Sequence, residues 1–322
     1  MKSILSSCAQ DAKRLLTNAL FWVLTGTLVI IVLVVDLALP KELSSSQIEA
    51  VTYNAPADVP FGTPAISEEA LREQVREGDA IGFLFGETGL TIVHPGYSEK
   101  SLNVYVLELM HIAPAQVKVV SLDAQAVEIP FNLLFTPVFI CFEALMVGFI
   151  LGGALMLAEK QDGTVRALRV SPLSVPRYIL AKTLLFSLIG TLYASLIALL
   201  TAGASIHWGL FLPLSFCGTA LFTMIGLAYT SPFRDMSGWF FSMVVLLSVN
   251  MLPVISYSSP AFTPFWMRLI PSYPILTAYR AAMFGGSIDW TYTIAAIGSW
   301  SVIAYLLACV FVAKKHLKGA GV

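Results

Sequence analysis

Apolar positions along this chain fall in long blocks, not in the short periods of a soluble domain. A helix crossing a bilayer needs about 20 mostly apolar residues. Six runs meet that length, at about 19–39, 131–157, 178–203, 211–231, 238–257 and 291–313. Ahead of them, Ile4, Leu5, Cys8, Ala12, Leu15 and Leu16 share one helical face, with Lys2, Gln10, Asp11 and Lys13 elsewhere. Residues 1–18 are therefore expected to form an amphipathic helix on the membrane surface. The first apolar run is long, and no small-residue cleavage pattern follows it, so it reads as a retained anchor.

The one long polar segment is 40–130, between the first and second runs. Its stretch "SEEALREQVREGDAIGFLF" predicts a helix from Ser67, with Glu68 and Glu69 in the first turn and a stop near Gly78. "AIGFLF" and "LTIVH" read as strands on either side of Gly86-Glu87-Thr88-Gly89, and "SEKSLNVYVLELMHI" as a second helix. The fold class is thus an all-α polytopic membrane protein, with six transmembrane helices and a small α/β extracytoplasmic lobe between the first and second. So small a lobe is expected to lean on the membrane part or on a second copy. Glu108 and His111 share a helical face and His94 precedes them, but a metal site needs three or four converging ligands. Solvated surface residues are the better reading, and no metal site is assigned.

Composition agrees with the pattern. The chain is 57% hydrophobic and 12% charged, about half the charge of a soluble domain. A net charge of -1 gives no basis for a nucleic-acid partner. Cys8, Cys141, Cys217 and Cys309 all lie outside the polar segment, so no disulfide framework is expected there. Lys and Arg set the orientation. With the N-terminus inside, the inner segments hold Lys2, Lys13 and Arg14, then the basic stretch 158–182, Arg234, and Lys314, Lys315 and Lys318 in the tail 314–322. The short loop "GASIHWGLF" on the other side has neither residue type. Both termini are therefore expected in the cytoplasm, and the chain in the cytoplasmic (inner or plasma) membrane. No G-x-x-x-x-G-K-[ST] loop, G-x-S-x-G, H-E-x-x-H or C-x-x-C occurs in the sequence. Hydrolysis of a nucleotide would have to come from another chain.

Polar groups inside the apolar runs are the next candidates. Glu143 lies near the middle of the second run, where a carboxylate has to be paired, protonated or turned to a cavity. It and Asn250 are the candidates for a substrate path; the structural alternative for Glu143 is an interhelix hydrogen bond, with Asn250 as the expected partner. Pro253 is expected to break the fifth helix, with Asn250 satisfying a freed backbone group. Ala144, Gly148 and Gly152, and Gly190, Ala194, Ala198 and Ala202, form small-residue stripes that predict close helix packing. Residues 259–286 carry four prolines, Arg268, Arg280 and many aromatics. They are too apolar for a loop and too broken for a span. They read as a re-entrant hairpin at about 259–288, with Trp266, Tyr273 and Tyr279 at the headgroup level.

The basic stretch "EKQDGTVRALRVSPLSVPRYILAK" carries the most specific pattern. Glu159-Lys160, Gly163-Thr164, Leu168 and Ser171-Pro172-Leu173, closed by Lys182, resemble the cytoplasmic signature of type-2 ABC transporter permeases. The order of segments resembles that family too: one span, an outer domain, five more spans, and an outer hairpin before the last. Tyr273-Pro274 and Arg280 stand where the family has its hairpin. The resemblance implies a permease subunit of an ATP-driven exporter. Two copies of a separate ATP-binding subunit would hold ATP and Mg, this chain binding no cofactor, and a second permease copy would complete a dimer. It makes the stretch at about 159–176 the coupling helix, and the hairpin, with Trp266, Arg268, Tyr273 and Arg280, the outer gate. The residues agree with that role. Asp162 is placed to cap a short helix ended by Pro172. Val165 and Leu168 share a face for a partner groove, and Arg166 and Arg169 offer charge to an acidic rim. Glu159 and Lys160 are expected to latch that helix to the second span.

An apolar interior suggests a hydrophobic or amphipathic cargo: a small molecule, a lipid or a peptide. Two other readings compete. A proton-coupled secondary transporter would use Glu143 and need no ATPase. A membrane-tethered sensor would bind its ligand on the lobe.

Overall fold

A computed structural model describes residues 2–39, 49–56, 62–77, 80–86, 89–94, 116–121, 131–164, 174–258, 262–285 and 288–317. Six helices in it are long and apolar enough to cross a membrane: Ala19–Ala38, Asn132–Gln161, Val175–Thr201, Trp208–Thr230, Met236–Ser258 and Trp290–Lys314. Each overlies one of the expected runs. The second span is longer than expected, because "LAEKQ" continues its helix past the apolar block. Glu159 and Lys160 therefore sit in the last turn of a helix that ends at Gln161, not in a separate coupling helix.

The second, third and fourth spans form the centre of the bundle, and the small-residue stripes explain why they approach so closely. A Cβ on Gly148 would lie 2.7 Å from the carbonyl oxygen of Thr219. One on Gly190 would lie 2.5 Å from the Thr219 side chain, and one on Gly226 2.8 Å from the Phe149 carbonyl oxygen. Glycine is thus required on each of the three helices, and Thr219 is gripped from both sides. Close contact of this kind replaces the hydrophobic drive that lipid cannot supply. The second span widens by one residue per turn over Met146–Leu151, a device often found beside functional positions. The first, fifth and sixth spans show much more apolar surface, including Val29, Phe241, Val245, Ile294 and Val302.

The fifth span breaks where Pro253 predicts. One helix ends at Met251 and the next begins at Pro253. The Val249 carbonyl that Pro253 cannot serve accepts from the Leu252 N–H at 3.3 Å. Asn250 does not fill that role. Its side-chain amide donates to the Leu246 carbonyl at 3.0 Å, and its backbone carbonyl accepts from Ser272 Oγ at 2.6 Å.

Between the first and second spans the described residues form one helix, Glu68–Glu77, and a five-stranded sheet. The strands are β1 (Glu49–Tyr53), β2 (Thr63–Pro64), β3 (Ala80–Gly86), β4 (Gly89–His94) and β5 (Gln116–Ser121). Their order is β2-β1-β3-β4-β5, parallel except for the antiparallel pair β3–β4. Ser67 Oγ accepts from the Ala70 N–H at 3.1 Å, the expected cap. Leu71 and Val75 are buried against the sheet, and Gly82 leaves the space they fill. The sequence reading finds β3 and β4 and misses the other three. The second helix expected over 98–112, with Glu108 and His111, lies outside the described residues.

Candidate functional site

Tyr178 and Lys182 stand four residues apart near the start of the third span and so share a face. Both reach Glu159 in the last turn of the second span. Glu159 Oε1 accepts from Lys182 Nζ at 2.8 Å, and Oε2 accepts from the Tyr178 hydroxyl at 2.6 Å. Lys182 also donates to Asp11 Oδ2 at 3.2 Å. Its ammonium lies 5.0 Å from the centre of the Tyr178 ring. All four side chains are buried. One cation between two carboxylates, with a phenol on one of them, satisfies charges that would be costly alone in so apolar a place.

Asp11 arrives on the N-terminal helix, Lys2–Leu16. The sequence reading puts it on the polar face. It is instead buried, in one stripe with Cys8 and Leu15, and the Cys8 thiol donates to the Ala181 carbonyl at 3.2 Å. Burial pushes the Asp11 carboxyl above its ordinary range, against the opposing pull of Lys182. The N-terminal helix therefore docks by charge as well as by apolar contact.

Lys160 points the other way. Its ammonium donates to the Ser231 carbonyl and, at 2.8 Å, to the Phe233 carbonyl. Ser231 closes the fourth span, where helix carbonyls lack partners and a positive charge is favoured. Two adjacent motif residues thus tie the second span to the N-terminal helix, the third span and the turn between the fourth and fifth. The motif's next members complete the joint. Gly163 has φ +70°, the left-handed conformation that ends a helix. The Thr164 hydroxyl donates to the Glu159 carbonyl at 3.1 Å. Asp162 is the closing residue of the second span's helix. Val165, Arg166, Leu168, Arg169, Pro172 and Leu173 lie outside the described residues.

Glu143 is wholly buried where the first three spans meet. Both of its oxygens are 3.4 Å from the Thr27 hydroxyl of the first span. Two residues before Thr27, Thr25 and the Tyr193 hydroxyl share a hydrogen bond of 2.5 Å between the first and third spans. Among the described residues no basic side chain pairs with Glu143. Asn250 is not its partner. Asn250 lies in the wall of a cavity of about 950 Å³ between the fourth, fifth and sixth spans and the hairpin. The two expected substrate-path residues are therefore not brought together.

The hairpin comprises Phe265–Arg268 and Ser272–Phe284. The Arg280 guanidinium lies 5.6 Å from the centre of the Tyr257 ring, and the Tyr257 hydroxyl donates to the Leu134 carbonyl. Tyr273 meets Tyr292 edge-on at 6.4 Å, and the Tyr292 hydroxyl donates to the Arg268 carbonyl. Trp266 is half-exposed. Tyr279, expected at the headgroup level, is instead fully buried and donates to Ser215 Oγ of the fourth span at 3.1 Å.

Residues 104–308 match the family described as fluoroquinolones export permease protein Rv2686c-like. The chain belongs to that family. That family is one of ABC-2 type permeases. Two curated relatives, from Mycobacterium tuberculosis strains CDC 1551 / Oshkosh and ATCC 25618 / H37Rv, are named fluoroquinolones export permease proteins MT2761 and Rv2687c. Each is 28% identical over 140 residues, which cover 42% of this chain and 58% of the relative. The match thus spans little more than half of those proteins. No solved structure matches the chain.

Of the signals missed in the sequence, Asp11 was the most accessible. It interrupts an apolar stripe at helical spacing, and an acidic residue there calls for a basic partner.

Proposed function

We propose that this chain is the transmembrane subunit of an ATP-driven exporter, powered by two copies of a separate ATP-binding subunit that hold ATP and Mg. A second permease copy completes the pathway. Both termini and the Glu159–Lys160 end of the bundle face the cytoplasm; the lobe and the hairpin face outward. The cargo is a hydrophobic or amphipathic small molecule. The relatives' names point to aromatic drugs of the fluoroquinolone type ahead of a lipid or a peptide.

The observation that carries this reading is the junction at Glu159 and Lys160. The second span's helix ends at Gln161, just ahead of the signature's remaining residues, at a place where the N-terminal helix, the second and third spans and the fourth–fifth turn are joined by buried charge and hydrogen bonds. A push delivered there by closing ATP-binding subunits reaches all of those elements at once. Val165 and Leu168 supply the apolar contact to the partner groove, and Arg166 and Arg169 the charge at its rim. The hairpin, held through Arg280 and Tyr273, gates the exit.

The test is a pull-down of the tagged protein from mildly solubilised native membranes, followed by mass spectrometry and an ATPase assay. A stoichiometric partner with a phosphate loop, lost in Leu168→Asp, is expected. A complex assembled normally with Leu168→Asp, or no such partner under conditions that preserve a known complex of this kind, overturns the reading.

A further inference from the structure

The cavity of about 950 Å³ has a wall unlike that of an ordinary packing defect. It runs from Phe233, beside the Lys160 contact, along the fourth, fifth and sixth spans to Ile270 and Pro271 of the hairpin. Its size falls in the range of clefts that hold drug-sized molecules, about 300–1,000 Å³. None of its lining residues is charged. Tyr229, Phe233, Trp300 and Phe311 contribute aromatic surface. Val249, Leu269, Ile303 and Leu307 line it and are exposed on the flank of the bundle. The cavity is therefore reached sideways, across apolar helix surfaces.

Its polar equipment is sparse and specific. The Tyr229 hydroxyl and Ser242 Oγ share a hydrogen bond, and both residues line the cavity. Two hydroxyls bonded to each other use one hydrogen between them; the second hydrogen and the remaining lone pairs are left for a third group. Asn250, also in the wall, gives one amide N–H to the Leu246 carbonyl, and its Oδ1, without a hydrogen-bond partner among the described residues, is buried out of reach of the cavity surface. The hydroxyl pair is thus the anchor. A phosphate headgroup finds no basic side chain here, and an ionised group would be desolvated without a partner.

We propose that this cavity is a binding site for an uncharged, drug-sized aromatic molecule that reaches it from the bilayer and hydrogen-bonds the Tyr229–Ser242 hydroxyl pair. It deepens the exporter reading and rests on it for the fate of the ligand, but binding itself needs neither ATP nor the partner subunit.

The full chain in lipid nanodiscs tests it with two fluorescent probes. N-phenyl-1-naphthylamine is uncharged, aromatic and carries one N–H. Its N-methyl analogue lacks that donor. Saturable binding above the background of empty nanodiscs is expected for the first, and binding weaker by up to about tenfold for the second, the worth of one neutral hydrogen bond. The double variant Tyr229→Phe, Ser242→Ala keeps the ring packing and is expected to bind the two probes equally. Ala304→Phe, which fills the cavity from the sixth span, is expected to bind neither, while eluting as a folded protein. Equal binding of the probes to the wild type, discrimination that persists in the double variant, or binding unchanged by Ala304→Phe overturns the site. So does a phospholipid retained by the wild type, lost in Ala304→Phe and not displaced by the probes, since the occupant is then lipid. Failure of binding alongside a captured ATP-binding subunit sinks this site alone. Binding without any such subunit sinks the exporter reading and leaves the site.

Discussion

Lys182 and Glu159 come from different spans, meet at 2.8 Å and are both buried. Breaking a buried ion pair from one side leaves the other charge stranded, at a cost of about 3–5 kcal/mol. Lys182→Met, which leaves Glu159 and Asp11 without their shared cation, is therefore expected to lower the thermal midpoint in detergent sharply. Adding Glu159→Met is expected to recover part of the loss, because one stranded carboxylate is gone and Asp11 can take a proton. A double-mutant cycle followed by fluorescence-detected size exclusion measures the coupling. Additive losses would mean that the pair contributes nothing as a pair.

Among the described residues, Lys160 donates to two backbone carbonyls of the fourth–fifth turn, those of Ser231 and Phe233. Hydrogen bonds to a charged group contribute about 1.5–3 kcal/mol. Lys160→Met is expected to keep the fold and the partner subunit, but to let ATP hydrolysis proceed with less transport. Comparing the two rates in proteoliposomes checks it. An unchanged ratio would confine Lys160 to a stabilising role.

Glu143→Gln keeps the shape and the Thr27 contact while removing the carboxylate's ability to ionise. The variant is expected to assemble normally and to lose transport, as followed by dye accumulation in inverted vesicles. Full transport would return Glu143 to packing.

Gly148→Ala and Gly190→Ala both push a methyl group against Thr219, but at different atoms. At Gly190 the obstacle is the Thr219 side chain at 2.5 Å, and at Gly148 the nearest atom is the Thr219 backbone oxygen at 2.7 Å. Overpacking of this kind costs about 1–3 kcal/mol. Thr219→Ala is expected to rescue Gly190→Ala and to leave Gly148→Ala impaired. Thermal midpoints of the four proteins decide it.

The spans were legible because a bilayer demands length and apolarity, and both are local properties. The break at Pro253 was legible for the same reason, since a missing N–H needs no tertiary context. The signature at Glu159–Lys160 singled out two residues that join helices, but not their partners. Glu159 pairs across chain separations of 23 and 19 residues to Lys182 and Tyr178, and the Asp11–Lys182 contact spans 171. No periodicity reports contacts at such distances. Tyr279 misled for a related reason. An aromatic in a Pro-rich segment suits the headgroup level, and only the Ser215 hydroxyl on another helix reveals that it is inside. Strands β1, β2 and β5 escaped because each pairs in parallel with a strand that no tight hairpin joins to it, whereas β3 and β4 form an antiparallel hairpin.

Thr219, held between Gly148 and Gly190, has a mechanical consequence. Three helices that touch backbone to side chain with no spare methyl's width cannot slide past one another. They form a stator. Any stroke that carries cargo is then borne by the parts hung on it: the first, fifth and sixth spans and the N-terminal helix. The fifth span is suited to such a rotor. It is steered at one end by the turn that Lys160 holds, tethered at Asn250 by Ser272, and jointed just beyond that tether at Leu252.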